Sequence, residues 1–106
     1  MIGYLEIETG ADRRVFPLSD DVTHVGRGLS AELRLDDATV SRKHAVIVRR
    51  DDAVVILDDR SMNGVWVDGE RVTEAPLSDG AEILLGRVAL RFRAAVPETA
   101  AEAAAA

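Results

Sequence analysis

Apolar and polar positions alternate with a period of two along most of this chain, and short turn signals break the alternation every few residues. Leu5 and Ile7 are separated by Tyr4, Glu6 and Glu8, the pattern of a strand with one face on a core and the other in water. Val88, Leu90 and Phe92 repeat it against Arg87, Ala89, Arg91 and Arg93. Between these ends, Arg13 to Leu18 predicts an edge strand, where Pro17 is tolerated. Val22 to Val25 predicts a strand that runs into Gly26-Arg27-Gly28, and Leu33 and Leu35 flank Arg34 in another. A strand is expected from His44 to Arg50, then a hairpin at Asp51-Asp52. Ala53 to Leu57 is apolar at every position, which predicts a strand covered on both faces. Val65-Trp66-Val67 leads into Asp68-Gly69, a strong two-residue turn signal, with Arg71-Val72 pairing back. Ile83-Leu84-Leu85 supplies the partner of the last strand. No helical stripe interrupts this series, and turns spaced about 8–12 residues apart point to an all-β, antiparallel sandwich.

Size and composition narrow what such a sandwich does. The chain has 106 residues, room for one domain. The alanine-rich segment 95–106 reads as a disordered tail or linker stub behind a domain at 1–94. There is no cysteine, which excludes disulfide scaffolds, thiolate metal sites and cysteine nucleophiles, and suits a reducing, cytoplasmic compartment. The first residues lack the basic start and long apolar stretch of a signal peptide, and no apolar run approaches a membrane span. A formal net charge of −6 argues against a general nucleic-acid binder, which needs an excess of cations to release counterions.

Basic residues gather around three loops, Arg27, Arg42, Lys43 and Arg60 among them, and those loops carry the chemistry. Ser41-Arg42-Lys43-His44 places a hydroxyl, two cations and an imidazole at the mouth of a strand. Gly26-Arg27-Gly28 lies upstream and Ser61-Met62-Asn63-Gly64 downstream. A phosphorylated side chain brings about −1.5 to −2 charges and three acceptor oxygens. Its recognition needs a fixed cation and a hydroxyl or N–H donor in a concave place. Arg27 offers a planar fork between two glycines, which allow positive φ and close approach. Ser41 supplies a hydroxyl, and Arg42 or Lys43 a second cation, only one of that pair facing the ligand if the segment is a strand. The amide of Asn63 can bond both a donor and an acceptor of a peptide backbone. His44, neutral, can tie one loop to another through its ring N–H.

The order Gly-Arg, then Ser-Arg-x-His, then Asn-Gly resembles the forkhead-associated (FHA) domain. The flanking text agrees: Val25-Gly26-Arg27, Leu35-Asp36-Asp37, Val40 to Ala45, Ser61 to Gly69, and Asp79-Gly80-Ala81-Glu82-Ile83. The resemblance covers residues 2–93. It implies an eleven-stranded sandwich with ligand loops at one end, binding phosphothreonine peptides without catalysis and without a cofactor. By this likeness Arg27 and Ser41 hold the phosphate, with Arg42 beside the phosphate or the peptide, and Asn63 holds the peptide backbone. Gly26, His44 and Gly64 shape the loops. The expected partner is a phosphothreonine-containing protein written by a Ser/Thr kinase and bound by a monomer, with no nucleic acid and no membrane insertion. Two positions depart from the family pattern: Met62 stands where threonine is usual and Arg60 where glycine is usual. Arg34, Arg60 and Met62 are therefore candidates for peptide specificity, the two arginines favouring acidic residues C-terminal to the phosphothreonine. Thr99 is a candidate phosphosite for a second copy.

Other readings fail on context. Gly26-x-Gly28-x-x-Ala31 leads into a period-two segment rather than the helix a dinucleotide site requires. A Ser41–His44 hydrolase lacks a nucleophile elbow, and two residues three apart on a strand would face opposite sides. His24 and His44 have no paired carboxylate to complete a metal set. The competing interpretation is the same fold used as a phosphate-independent interaction surface with a vestigial pocket.

Overall fold

A computed structural model describes residues 3–9 and 12–94. These form eleven strands and no helix: β1 Tyr4–Thr9, β2 Asp12–Pro17, β3 Val22–Gly26, β4 Leu33–Arg34, β5 Ala45–Arg50, β6 Ala53–Asp58, β7 Val65–Val67, β8 Glu70–Val72, β9 Glu74–Pro76, β10 Glu82–Leu85 and β11 Val88–Arg93. They build two sheets packed face to face. One has six strands in the order β2-β1-β11-β10-β7-β8; the other has five, β4-β3-β5-β6-β9. The pairs are antiparallel except β3 with β4, which run parallel. The tail, with Thr99, lies outside the described residues.

The alternation seen in the sequence is the inside and outside of this sandwich. Leu5, Ile7, Val65, Val67, Ile83, Leu85, Leu90 and Phe92 cover the inner face of the six-stranded sheet, and Val25, Leu33, Ala45, Ile47, Val54 and Ile56 that of the other. Leu18, Leu35, Val40 and Leu77 close the core from the loops. β6 matches its expected two-sided cover only in part: Val55 on the outer face is buried, Leu57 is half-buried and Ala53 is exposed. β2 is an edge strand, as Pro17 indicates.

Asp51 and Asp68 adopt positive φ, and Asp68 with Gly69 (φ 50° and 85°) makes the tight turn between β7 and β8. The segment before β5 differs from expectation. Ser41 to His44 is a bend rather than the start of a strand, so strand alternation does not apply there: Arg42 and Lys43 are both exposed, while His44 is fully buried. β9, three residues long, is not among the strands expected from the sequence. It is an edge strand that pairs with β6 alone.

Candidate anion-binding site

Three loops meet at one end of the sandwich: residues 27–32 after β3, 35–44 before β5, and 59–64 before β7. Backbone hydrogen bonds join the first two. The Arg27 N–H donates to the Ser41 carbonyl (2.9 Å), Gly28 N–H to the Arg42 carbonyl (3.1 Å), and His44 N–H to the Val25 carbonyl (3.0 Å). A Cβ on Gly26 would lie 2.1 Å from the Arg42 carbonyl oxygen, so only glycine fits between these chains. The reason is close approach of backbone: neither Gly26 nor Gly28 has positive φ, contrary to the conformational role expected for them.

His44 braces the second loop to the third. Its Nδ1 accepts from the Ser41 backbone N–H (3.0 Å) and its Nε2 lies 2.8 Å from the Gly64 carbonyl. An amide can only donate and a carbonyl only accept, so these partners fix the ring as the neutral Nε2–H tautomer. The bend brings His44 next to Ser41, so the premise that they face opposite sides is corrected. The hydrolase reading still fails, because both ring nitrogens are engaged with backbone. The Ser41 hydroxyl accepts from the Met62 N–H (2.9 Å), which leaves its own proton free to donate to a ligand. Ser61 accepts from Gly64 N–H (2.9 Å) and donates its N–H to Asp58 (2.9 Å), closing the third loop.

Arg27 is half-buried. Its Nε donates to the Val40 carbonyl (3.0 Å), which orients the guanidinium and leaves both terminal nitrogens without an acid partner among the described residues. Asn63 is exposed; its amide donates one hydrogen to the Thr39 carbonyl (2.7 Å), leaving the other hydrogen and the side-chain oxygen available. Trp66 Nε1 donates to the Asn63 carbonyl (3.1 Å) and holds that loop from the sheet side. The other expected site residues divide. Arg42 and Arg60 are exposed without acid partners among the described residues, and Met62 is 83% exposed. Arg34 is committed: its Nε donates to the Arg27 carbonyl (3.0 Å), and a terminal nitrogen lies 3.8 Å from Asp36. Arg60 has φ 56°, a left-handed conformation that explains why glycine is the ordinary residue there.

Thr39 was not singled out by the sequence reading, yet it links all of this. Its hydroxyl donates to Asp37 and accepts from the Arg87 N–H, while its carbonyl takes the Asn63 amide. The hydrogen bonds from the Thr39 hydroxyl and then from its N–H hold the Asp37 carboxyl below the usual aspartate range, with Arg87 adding to them. The Asp-x-Thr spacing is a turn signal that could have flagged it. A separate concavity of about 550 Å³ lies on the outer face of the six-stranded sheet, lined in part by Trp66, Leu84 and Ala89. Its arginines are already paired, Arg13 and Arg93 with Glu6, and Arg91 with Glu82, so it has little to offer an anion. Among the described residues no group of three or more histidines and carboxylates could hold a metal.

A family model described as the FHA domain matches residues 23–86. Among curated proteins the chain is similar to an oxoglutarate dehydrogenase inhibitor of Corynebacterium diphtheriae, 35% identical over 91 residues, covering 85% of this chain and 64% of that protein. It is also similar to the transcriptional regulatory protein EmbR of Mycobacterium tuberculosis, 46% identical over 74 residues, 69% of this chain but 19% of EmbR. The chain spans roughly half to two thirds of the length of the first curated relatives it matches. Among solved structures, an FHA domain from a study of phosphothreonine-dependent FHA interactions superposes with TM-score 0.82 at 32% identity, covering 88% of this chain and 96% of that one. EmbR of M. tuberculosis in complex with a phosphopeptide superposes with TM-score 0.83 at 38% identity, over 90% of this chain and 25% of that one.

Proposed function

The chain belongs to the FHA domain family, and from that premise we propose that it is a non-catalytic module that reads threonine phosphorylation written by a Ser/Thr kinase, acting as a monomer. The observation that carries this is the pair Arg27 and Ser41. They are joined through their backbones, with the Arg27 guanidinium tethered by one nitrogen and two left over, and the Ser41 hydroxyl still able to donate. A phosphate between them would take charge-assisted bonds from a preoriented fork and a short hydroxyl donor. Asn63, with one amide hydrogen and its oxygen unspent, is suited to bond a peptide backbone beside the phosphate. The one buried imidazole is spent on backbone groups, which suits a binding role.

Charge-assisted hydrogen bonds contribute about 1.5–3 kcal/mol each, and micromolar affinity needs only about 8 kcal/mol in total. The test is fluorescence anisotropy with a degenerate peptide pool in phosphothreonine, phosphoserine and unphosphorylated forms, with an Arg27→Ala protein alongside. Binding to the phosphothreonine pool alone, weakened by about 2–5 kcal/mol in Arg27→Ala, is the expected result. Equal binding of all three pools would mean a phosphate-independent surface. Because the Arg27 side chain also holds the Val40 carbonyl, Arg27→Ala should lower stability by about 1 kcal/mol, far short of unfolding the domain.

A further inference from the structure

We infer that Arg71 forms a second anion-reading position on the Asn63 side of the site, one that selects phosphothreonine peptides carrying an acidic side chain at a fixed distance from the phosphate. This rests on the phosphopeptide reading above and adds a residue to which neither the sequence nor that reading gave a role.

Arg71 sits in the middle of β8, directly across from Trp66 in β7. Cross-strand partners lie on the same face of a sheet. Val65 and Val67 point into the core, so Trp66 and Arg71 point outward together. From there the Arg71 side chain reaches Gly64. A Cβ on Gly64 would lie 2.5 Å from Arg71 Nε and 2.9 Å from Cζ. The missing Cβ is therefore the seat of the guanidinium, and the positive φ of Gly64 (83°) suits the same residue. Gly64 follows Asn63 and gives its carbonyl to His44. Trp66 holds the Asn63 carbonyl. The cation is thus placed against the most tightly braced part of the site.

Its charge is also unspent. Among the described residues no carboxylate lies within ion-pair distance of Arg71, whereas Arg34 is held by Asp36 and Arg87 by Asp37. Arg60 is unpaired too, but it stands on an exposed turn with no comparable seat. A seated, unpaired guanidinium loses less side-chain freedom on binding than a solvated one, and its fork matches a carboxylate or a second phosphate.

The experiment uses alanine-based peptides with a central phosphothreonine and a single glutamate moved from about four residues before it to about four residues after it, titrated by anisotropy against wild type, Arg71→Ala, Arg71→Glu and Arg71→Lys. Melting curves establish that each variant is folded. Wild type should bind the glutamate-free phosphopeptide, and glutamate on one side only should tighten binding by about five-fold, as an exposed ion pair does. Arg71→Ala should abolish that gain and leave the glutamate-free peptide within about two-fold. Arg71→Glu should reverse the preference, and Arg71→Lys should recover part of it. Phosphoserine at the favoured position should exceed glutamate if the ligand is doubly phosphorylated. An acid preference that survives in Arg71→Ala, or an equal loss for every peptide, overturns the role of Arg71 and leaves phosphate reading standing. Failure of wild type to bind any phosphopeptide overturns both.

Discussion

Replacing His44 with alanine removes a side chain that is fully buried and that closes two loops at once. The cost has three parts. The Gly64 carbonyl, in a buried residue, loses the His44 donor, worth about 1–3 kcal/mol. The Ser41 N–H, in a half-buried residue, loses its acceptor but can take water, so its share is smaller. The void left by the ring adds about 1–2 kcal/mol, since a cramped loop junction relaxes only partly. The sum is about 2–5 kcal/mol, a large part of the stability of a domain this size, and should lower Tm by roughly 8–40 °C. Urea denaturation followed by tryptophan fluorescence reads it, and Trp66 lies in the affected junction. Two further variants separate the bonds. His44→Asn can place its oxygen near Nδ1 and keep the Ser41 contact; His44→Gln can reach Gly64 and keep the other. Each should recover part of the loss. A His44→Ala protein within about 1 kcal/mol of wild type would refute the view that this ring braces the site.

The remaining expectations are simpler to state. Gly26→Ala pushes a methyl group into the Arg42 carbonyl, so it should cost about 1–3 kcal/mol in chemical denaturation and weaken phosphopeptide binding, because it parts Arg27 from Ser41; a neutral substitution would contradict the geometry. Arg60→Gly relieves a left-handed arginine and should raise stability by about 0.5–1 kcal/mol, with a Tm at or below wild type counting against it. Partial burial pushes the Glu6 carboxyl up, but hydrogen bonds from Arg93 and Arg13 outweigh this and hold it below the usual glutamate range. Its stabilisation is therefore present above about pH 4 and lost as pH falls through the lowered value. Glu6→Gln should accordingly lose less stability than wild type on acidification below that pH, and equal losses in the two melting series would exclude Glu6 as a contributor.

The strands were legible in the sequence because they are written locally. Leu5 and Ile7, or Val88, Leu90 and Phe92, alternate because each strand has one face on the core and one in water, and that fact needs no knowledge of the partner strand. Arg27, Ser41 and Asn63 stood out because few side chains suit an anion and a peptide backbone. What the sequence left undecided is what depends on meeting a distant segment. β9 gave no signal because Glu74-Ala75-Pro76 is only three residues long and a single one, the half-buried Ala75, turns toward the core. The bend at Ser41 to His44 read as a strand entry, since the imidazole that stabilises it bonds its own loop and Gly64, twenty positions away. Gly26 read as a residue for positive φ and close approach of a ligand, and only the arrival of the Arg42 backbone shows that what approaches it is its own chain. Arg71 looked like any exposed strand arginine until the β7–β8 register seated it on Gly64. Burial against solvent is recorded residue by residue along the chain, whereas register and loop closure are set by pairings between residues far apart in it, and those only the folded sandwich supplies.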